Sequence, residues 1–219
     1  PATEGRGQVD PAAVGAVFKA YDIRGRVPEE LDESLAEAIG RAFALLVRDE
    51  EPDTTRVVVG RDMRSSGTLL GAAFASGVMS EGLDVVDLGL ASTDMLYYAS
   101  GNLGVPGAVL TASHNPAGYN GMKLCLSAAR PVGGDTGLDR MAARILAGFD
   151  GVVAVGDGST TSLDVLSAFV EHVRSFVDLD SLRPLRVVVD TANGMGGLVV
   201  PAVFDGLPFH LDHLFAELD

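Results

Sequence analysis

At 219 residues, 47% of them hydrophobic and 21% charged, the chain has enough apolar material for one complete core and part of a second, set against the entropy of ordering its backbone. A formal net charge of −14 and a pI near 4.5 repel phosphodiester backbones and anionic lipid surfaces, which argues against nucleic acid or a membrane as partner. The one cysteine, Cys125, has no internal disulfide partner and reads as a small buried hydrophobe in a reducing cytoplasm, no apolar stretch has bilayer length, and residues 1–13 lack signal-peptide order and read as a loose tail.

Residues 14–19 form a short apolar run that predicts a strand, and the polar segment YDIRG at 21–25 breaks the periodicity as a loop. From Asp32 to about Arg48 the apolar residues Leu35, Ile39, Phe43 and Leu46 recur at helical spacing, which predicts an amphipathic helix. RVVVG at 56–60 predicts a β-branched strand, Ser65 or Ser66 a cap for a helix running to about Glu81, and residues 85–88 a second strand, together a βαβ unit. A helix near 94–100, strands at 108–111 and 122–126, and a helix near 138–147 continue the alternation. The pattern predicts an α/β fold, a mostly parallel (mixed) sheet sandwiched by helices.

The stretch 151–160 is rich in Gly, Ser and Thr, and a domain boundary is expected there: 1–13 as tail, 14–158 as a first and complete domain, 159–219 as a truncated second domain. The second unit reads as a helix over 162–177, a strand RVVVD at 186–190, a Gly-rich turn at 193–197, a helix to about Phe204 and a strand at the end. Laying RVVVD on RVVVG places residues 215–219 over 85–89, so the strand-helix-strand unit is expected to recur in register.

The densest chemistry lies in TASHNPAGYNGMK at 111–123, which leaves a buried strand at the end where open parallel sheets bind ligands. Ser113 offers a hydroxyl, His114 and Lys123 a proton or positive charge, and Asn115 amide donors, while Pro116, Gly118 and Gly121 shape the backbone. Lys123 is one of only two lysines, the other being Lys19, and both lie beside such motifs. Neighbouring Ser113 and His114 do not readily face one another, no G-x-S-x-G elbow and no acid partner is present, and no G-x-x-x-x-G-K-[ST] loop exists, so hydrolase and P-loop chemistry are set aside. His172, His210 and His213 show no metal-ligand spacing.

TASHNPAGYNGMK is similar to the phosphoserine loop of the α-D-phosphohexomutase superfamily, the phosphomannomutase/phosphoglucomutase kind. KAYDIRG at 19–25 and VVVGRDMRSSG at 57–67 resemble that family's two other N-terminal hallmarks, in the family's order. The resemblance spans about residues 14–219 and implies an N-terminal fragment of a mutase. It implies that Ser113 is phosphorylated and passes its phosphoryl group to a hexose 1- or 6-phosphate of mannose or glucose, through a hexose 1,6-bisphosphate that is both intermediate and activator. By the same resemblance Arg24 serves the transition state, Lys123 is the general base or an electrostatic partner, His114 and Asn115 support the phosphoserine, and Tyr21 and Asn115 meet substrate. Arg61, Asp62 and Arg64 are read instead as holding the loops together through ion pairs.

The resemblance further implies Mg2+, held by a phosphoryl oxygen on Ser113 and by aspartates of a D-G-D-x-D-R-type loop that this chain lacks. Loops for reading the sugar and its distal phosphate are also missing, so the remaining domains of the parent chain are expected as partners and the fragment alone is expected to be inactive. The alternatives are a phosphoglucosamine mutase or a non-catalytic sugar-phosphate-binding module.

Overall fold

In the computed structural model, which describes residues 9–152, 155–156 and 158–219, the first element is set by Asp10 and Pro11. The Asp10 carboxylate accepts the Ala12 amide and Pro11 fits the first turn, so Pro11–Val17 folds as helix α1. This corrects the strand expected over 14–19: Val14 and Val17, one helical turn apart, both point into the core, and the run's strand character shrinks to one bridge between Phe18 and Ile23. The expected loose tail lies outside the described residues through position 8, and its last residues belong to α1. The loop expected at 21–25 is loop only to Asp22, since Ile23–Arg26 is strand β1.

Asp32 starts helix α2 (Glu33–Glu50) by accepting the Leu35 amide at 2.8 Å, and Leu35, Ile39, Phe43 and Leu46 are buried as their spacing predicts. There follow β2 (Arg56–Arg61), α3 (Gly67–Met79), β3 (Asp84–Leu90), α4 (Thr93–Leu103), β4 (Gly107–Leu110), β5 (Tyr119–Leu126) and β6 (Arg130–Pro131). A π-helical turn at Gly134–Leu138 leads into α5 (Asp139–Leu146), and then come β7 (Thr160–Ser162), α6 (Leu166–Arg174), β8 (Leu185–Asp190), α7 (Gly196–Phe204) and β9 (Phe209–Leu214). No helix among the described residues is long and apolar enough to cross a membrane.

The main sheet runs β1-β5-β4-β2-β3-β7, with β6 on β5. Its β4-β2-β3-β7 half is parallel, and β5 turns back antiparallel between β4 and β1. The fold is α/β with a mixed sheet. Alternate residues of β2 feed opposite cores: Val57 and Val59 pack with α2, α3 and α5, whereas Val58 packs with α4 and α6. Helices therefore cover both faces. Cys125 is fully buried in the second of these cores, and burial pushes its thiol above the ordinary range, so it behaves as a hydrophobe.

The expected boundary region falls partly on residues 153, 154 and 157, outside the described residues. Beyond it, β7 still belongs to the main sheet: it lies parallel to β3, and the Asp84 carboxylate accepts the Ser159 amide at 2.7 Å and hydroxyl at 2.8 Å. Because 160–162 is strand, α6 starts at Leu166 rather than near 162. In the second unit β8 and β9 pair in parallel across α7, repeating the β2-α3-β3 arrangement. The register differs from the one expected. The helix α7 has 9 residues against 13 in α3, about one turn less, so the second strand is Phe209–Leu214 and not 215–219. Arg174 on α6 closes α7 by donating to the carbonyls of Val203 at 2.9 Å, Ala202 at 3.2 Å and Asp205 at 2.5 Å.

The tightest helix contact is α2 on α3. A Cβ added at Gly40 would lie 2.0 Å from the Phe74 carbonyl oxygen, and one at Gly77 2.0 Å from that of Glu37. Gly40→Ala or Gly77→Ala is expected to lower unfolding free energy by about 1–3 kcal/mol, since the helix backbones must separate. Gly101→Ala in α4, where nothing lies within 4 Å, serves as control and should raise it by up to about 1 kcal/mol. Denaturant unfolding of the three variants measures both.

A pH effect follows from Asp84, whose carboxyl is held below the usual range first by the Ser159 amide and then by its hydroxyl. A carboxyl lowered on folding contributes stability above its unfolded value of about 3.9 and loses it as pH falls through the folded value. The acid limb of the stability profile should be shallower in Asp84→Asn, read by urea unfolding across that range.

Candidate functional site

The three motifs are far apart in sequence but adjacent in the sheet, because its order is β1-β5-β4-β2. YDIRG enters β1, the serine loop joins β4 to β5, and the segment after β2 carries Asp62 and Arg64. All gather at the carboxyl end of the parallel strands β4 and β2.

Each neighbour is fixed by a specific contact. Arg24 on β1 stands opposite Gly121 on β5, and a Cβ at Gly121 would lie 2.1 Å from the Ile23 carbonyl oxygen, so glycine permits the two strands to meet. Beside it, the fully buried Asn120 donates from Nδ2 to Ser66 Oγ at 2.9 Å and accepts the Gly121 amide at 2.8 Å. This corrects the expected helix cap: Ser66 precedes α3, but its side chain makes no cap hydrogen bond and is tied to Asn120 instead.

The serine loop is folded upon itself. Thr111 donates its amide to the Gly121 carbonyl at 2.9 Å, and its hydroxyl accepts the Ser113 amide at 2.9 Å. Asn115 donates its amide to Ala112 at 3.1 Å and Tyr119 to Pro116 at 3.0 Å. Ser113 has φ 54°, a left-handed conformation that few serines adopt, and its side chain is exposed at the loop's crest.

Two cations share one carboxylate next to this loop. Asp22 Oδ2 lies 2.5 Å from Arg24 Nη2 and 3.6 Å from Lys123 Nζ, while Arg24 Nη1 donates to Asn115 Oδ1 at 2.6 Å. Arg24 is thus joined to the loop through Asn115 and to Lys123 through Asp22, which sequence reading did not single out. Its mark was only an acid two residues before the arginine. Arg64, 8% exposed, pairs with Asp62 at 3.3 Å and also donates to the carbonyls of Ser113, Asn115, Pro116 and Tyr119. Its role as a loop holder is as expected, but most of its bonds go to backbone.

His114 is exposed and makes no hydrogen bond or ion pair among the described residues. Tyr21 is 85% exposed, so it does not pack its loop onto the sheet. A cleft of roughly 260 Å³ is lined by Ser113, Thr111, Asp62 and Asp94, and by Gly194 and Met195 of the second unit's Gly-rich turn.

No group of three or more His, Cys, Asp or Glu side chains able to hold a metal occurs among the described residues. Of the carboxylates beside the loop, Asp22 and Asp62 are already taken by Arg24, Lys123 and Arg64, which leaves Asp94 as a cleft-lining carboxylate without an ion pair among the described residues. This donor set does not fit an octahedral magnesium ion, which draws on free carboxylates and waters. The site does offer an exposed hydroxyl on a braced loop, flanked by an Arg and a Lys, an arrangement suited to carrying a phosphoryl group.

Comparison with known proteins identifies the family. The family described as phosphoglucomutase/phosphomannomutase, alpha/beta/alpha domain I, matches residues 15–150. A curated protein named phosphohexose mutases, from Xanthomonas campestris pv. campestris (strain B100), is 42% identical over 207 residues, 92% of this chain and 44% of that protein. A phosphomannomutase from Salmonella montevideo is 42% identical over 188 residues, 85% of this chain and 40% of its own length. The crystal structure of a phosphoglucomutase/phosphomannomutase family protein from Burkholderia thailandensis aligns with a TM-score of 0.83 at 36% identity, covering 93% of this chain and 44% of that one. The chain spans less than half the length of these curated relatives.

Asn120 is the buried link between the serine loop and the segment after β2. Asn120→Leu should cost about 1–3 kcal/mol, because Ser66 Oγ and the Gly121 amide lose their partner. Urea unfolding measures the cost, and trypsin cleavage after Lys123 should become faster as β5 loosens.

Proposed function

The chain belongs to the phosphoglucomutase/phosphomannomutase family, and from that premise we propose that it supplies the phosphoryl-carrying serine of a hexose phosphate mutase. Phosphorylated Ser113 gives its phosphoryl group to a free hydroxyl of mannose or glucose 1- or 6-phosphate. The Oγ–P bond breaks as the sugar O–P bond forms, and the sugar hydroxyl's proton ends on Ser113 Oγ, relayed by a neutral Lys123 amine where Lys123 is the base and by water where it acts as a fixed charge. The hexose 1,6-bisphosphate then returns its other phosphoryl group to Ser113, and the net change is isomerisation.

One observation carries this reading: the Ser113 hydroxyl stands exposed on a loop whose Asn115 is bonded to Arg24, with Lys123 tied to the same Asp22. Phosphoryl transfer asks the protein mainly for in-line positioning and neutralisation of charge. Arg24 can pair with two phosphoryl oxygens once substrate competes for it. Lys123 serves as base or as a fixed charge, exposed Tyr21 is free to meet the sugar, and His114 flanks the phosphoserine. Magnesium, in this reading, is completed by carboxylates of the remaining domains of the parent chain.

Intact-mass analysis of the full-length protein after incubation with glucose 1,6-bisphosphate should show one added phosphoryl group, mapped by peptide fragmentation to Ser113. Ser113→Ala should abolish it and lower mutase kcat by about a thousandfold or more. The 219 residues alone should leave glucose 1-phosphate unconverted. Full-rate turnover by Ser113→Ala, or phosphate on a different residue, would sink the proposal.

A further inference from the structure

The serine loop has no ladder of its own between β4 and β5, yet its carbonyl groups converge on one point. Arg64 Nη2 donates to the Ser113 carbonyl at 2.8 Å and that of Asn115 at 2.7 Å; Nη1 donates to Pro116 at 2.8 Å and Tyr119 at 2.9 Å. The four terminal guanidinium hydrogens are thereby all used. The guanidinium is itself anchored to the sheet. Asp62 faces its Nε at 3.3 Å, accepts the Arg64 amide at 3.0 Å and donates its own amide to the carbonyl of Leu110, the last residue of β4, at 2.9 Å.

A peptide unit is planar and trans, so a carbonyl aimed at Arg64 turns the next residue's N–H the opposite way. Ser113 and Pro116 are so aimed, which sends the N–H groups of His114 and Ala117 away from Arg64. Neither amide donates to any acceptor among the described residues. Of the other two units, the one after Asn115 precedes Pro116 and has no N–H to offer, and the one after Tyr119 carries the amide of Asn120, a residue of strand β5. With Ser113 in the left-handed region, these two amides, of His114 and Ala117, separated by the Asn115 amide that is bonded to Ala112 and by Pro116, remain as backbone donors that an anion at Ser113 can take up.

We propose, resting on the Ser113 reading above, that Arg64 is a positioning residue for phosphoryl transfer. By collecting the loop's carbonyls it presets the His114 and Ala117 amides as donors to the phosphoryl oxygens on Ser113. It never touches the phosphate. Its action is geometric, so a lysine, with the same charge but no planar fork, does not replace it.

The test compares the full-length protein with Arg64→Lys and Arg64→Met. In the wild type, phosphorylation by glucose 1,6-bisphosphate should slow amide hydrogen exchange at His114 and Ala117, and Arg64→Lys should lose that protection. Losing preset donors should lower kcat about a hundredfold, while KM for hexose phosphate stays within about threefold. Should Arg64→Met fail to fold, Arg64→Lys and the wild-type exchange measurement carry the decision. If the wild type never acquires phosphate on Ser113, the Ser113 reading falls and this one with it. If Ser113 is loaded but exchange at both amides is indifferent to phosphate, or Arg64→Lys turns over at the wild-type rate, the role of Arg64 alone is overturned.

Discussion

The meeting of β1 with β5 at Gly121 is the contact on which the site depends. Arg24 and Asp22 sit on or just before β1, Lys123 on β5, and the serine loop feeds β5 from β4. A side chain at position 121 would collide with the Ile23 carbonyl, and strand β1 would have to move off the sheet, taking Arg24 away from Asn115. One missing Cβ thus keeps the guanidinium, the ammonium and the serine within one cluster. The same sheet order places β2 on the far side of β4, which is why Arg64 reaches under the loop from the other flank.

Charge is arranged locally against the overall acidity of the chain. The formal net charge is −14, yet around Ser113 two cations share the single carboxylate of Asp22. The shared carboxylate orients both without fully neutralising them, which leaves one net positive charge among these three side chains. Elsewhere buried charge is compensated more completely. Glu81, 0% exposed between α3 and β3, faces Arg41 at 2.7 Å and Arg48 at 3.5 Å, both from α2, and so ties α2 to the end of α3.

The parts legible in the sequence were those written in local pattern. The spacing of Leu35, Ile39, Phe43 and Leu46 gave α2, the valine runs gave β2 and β8, and the three motifs gave the serine loop with its flanking arginine and lysine. The strand expected at 14–19 failed because an apolar run that short fits either structure. The deciding signal was the Asp10-Pro11 pair just before it, which opens a helix. Asn120 could not have been read off, since its partner Ser66 lies on a different strand connection, and backbone carbonyls, the partners of Arg64, leave no trace in side-chain identity. The repeat was visible, but its register was not, because losing one turn of helix leaves the valine runs unchanged.

The placement of the second unit rests on apolar packing rather than on charge. Tyr98 on α4 meets Phe169 at 5.8 Å and His172 at 5.0 Å on α6, and His172 in turn meets Phe176 at 4.8 Å. Val165 and Phe169 lie within the core that also holds Val58 and Val109, so α6 is as much a cover for the main sheet as a part of the second unit. Through Arg174, α6 also grips the end of α7, and the turn that begins α7 brings Gly194 and Met195 to the cleft at Ser113. The position of that turn relative to the serine is therefore set through α6, by its aromatic contact with α4 and its hydrogen bonds to α7, and also through Val199 of α7, which packs directly on the same core. An aromatic contact tolerates small sliding, whereas a guanidinium bonded to three carbonyls does not. Because Val165 and Phe169 are also buried in the main-sheet core, the turn at Ser113 is held by apolar packing on one side of α6 and by the Arg174 bonds on the other.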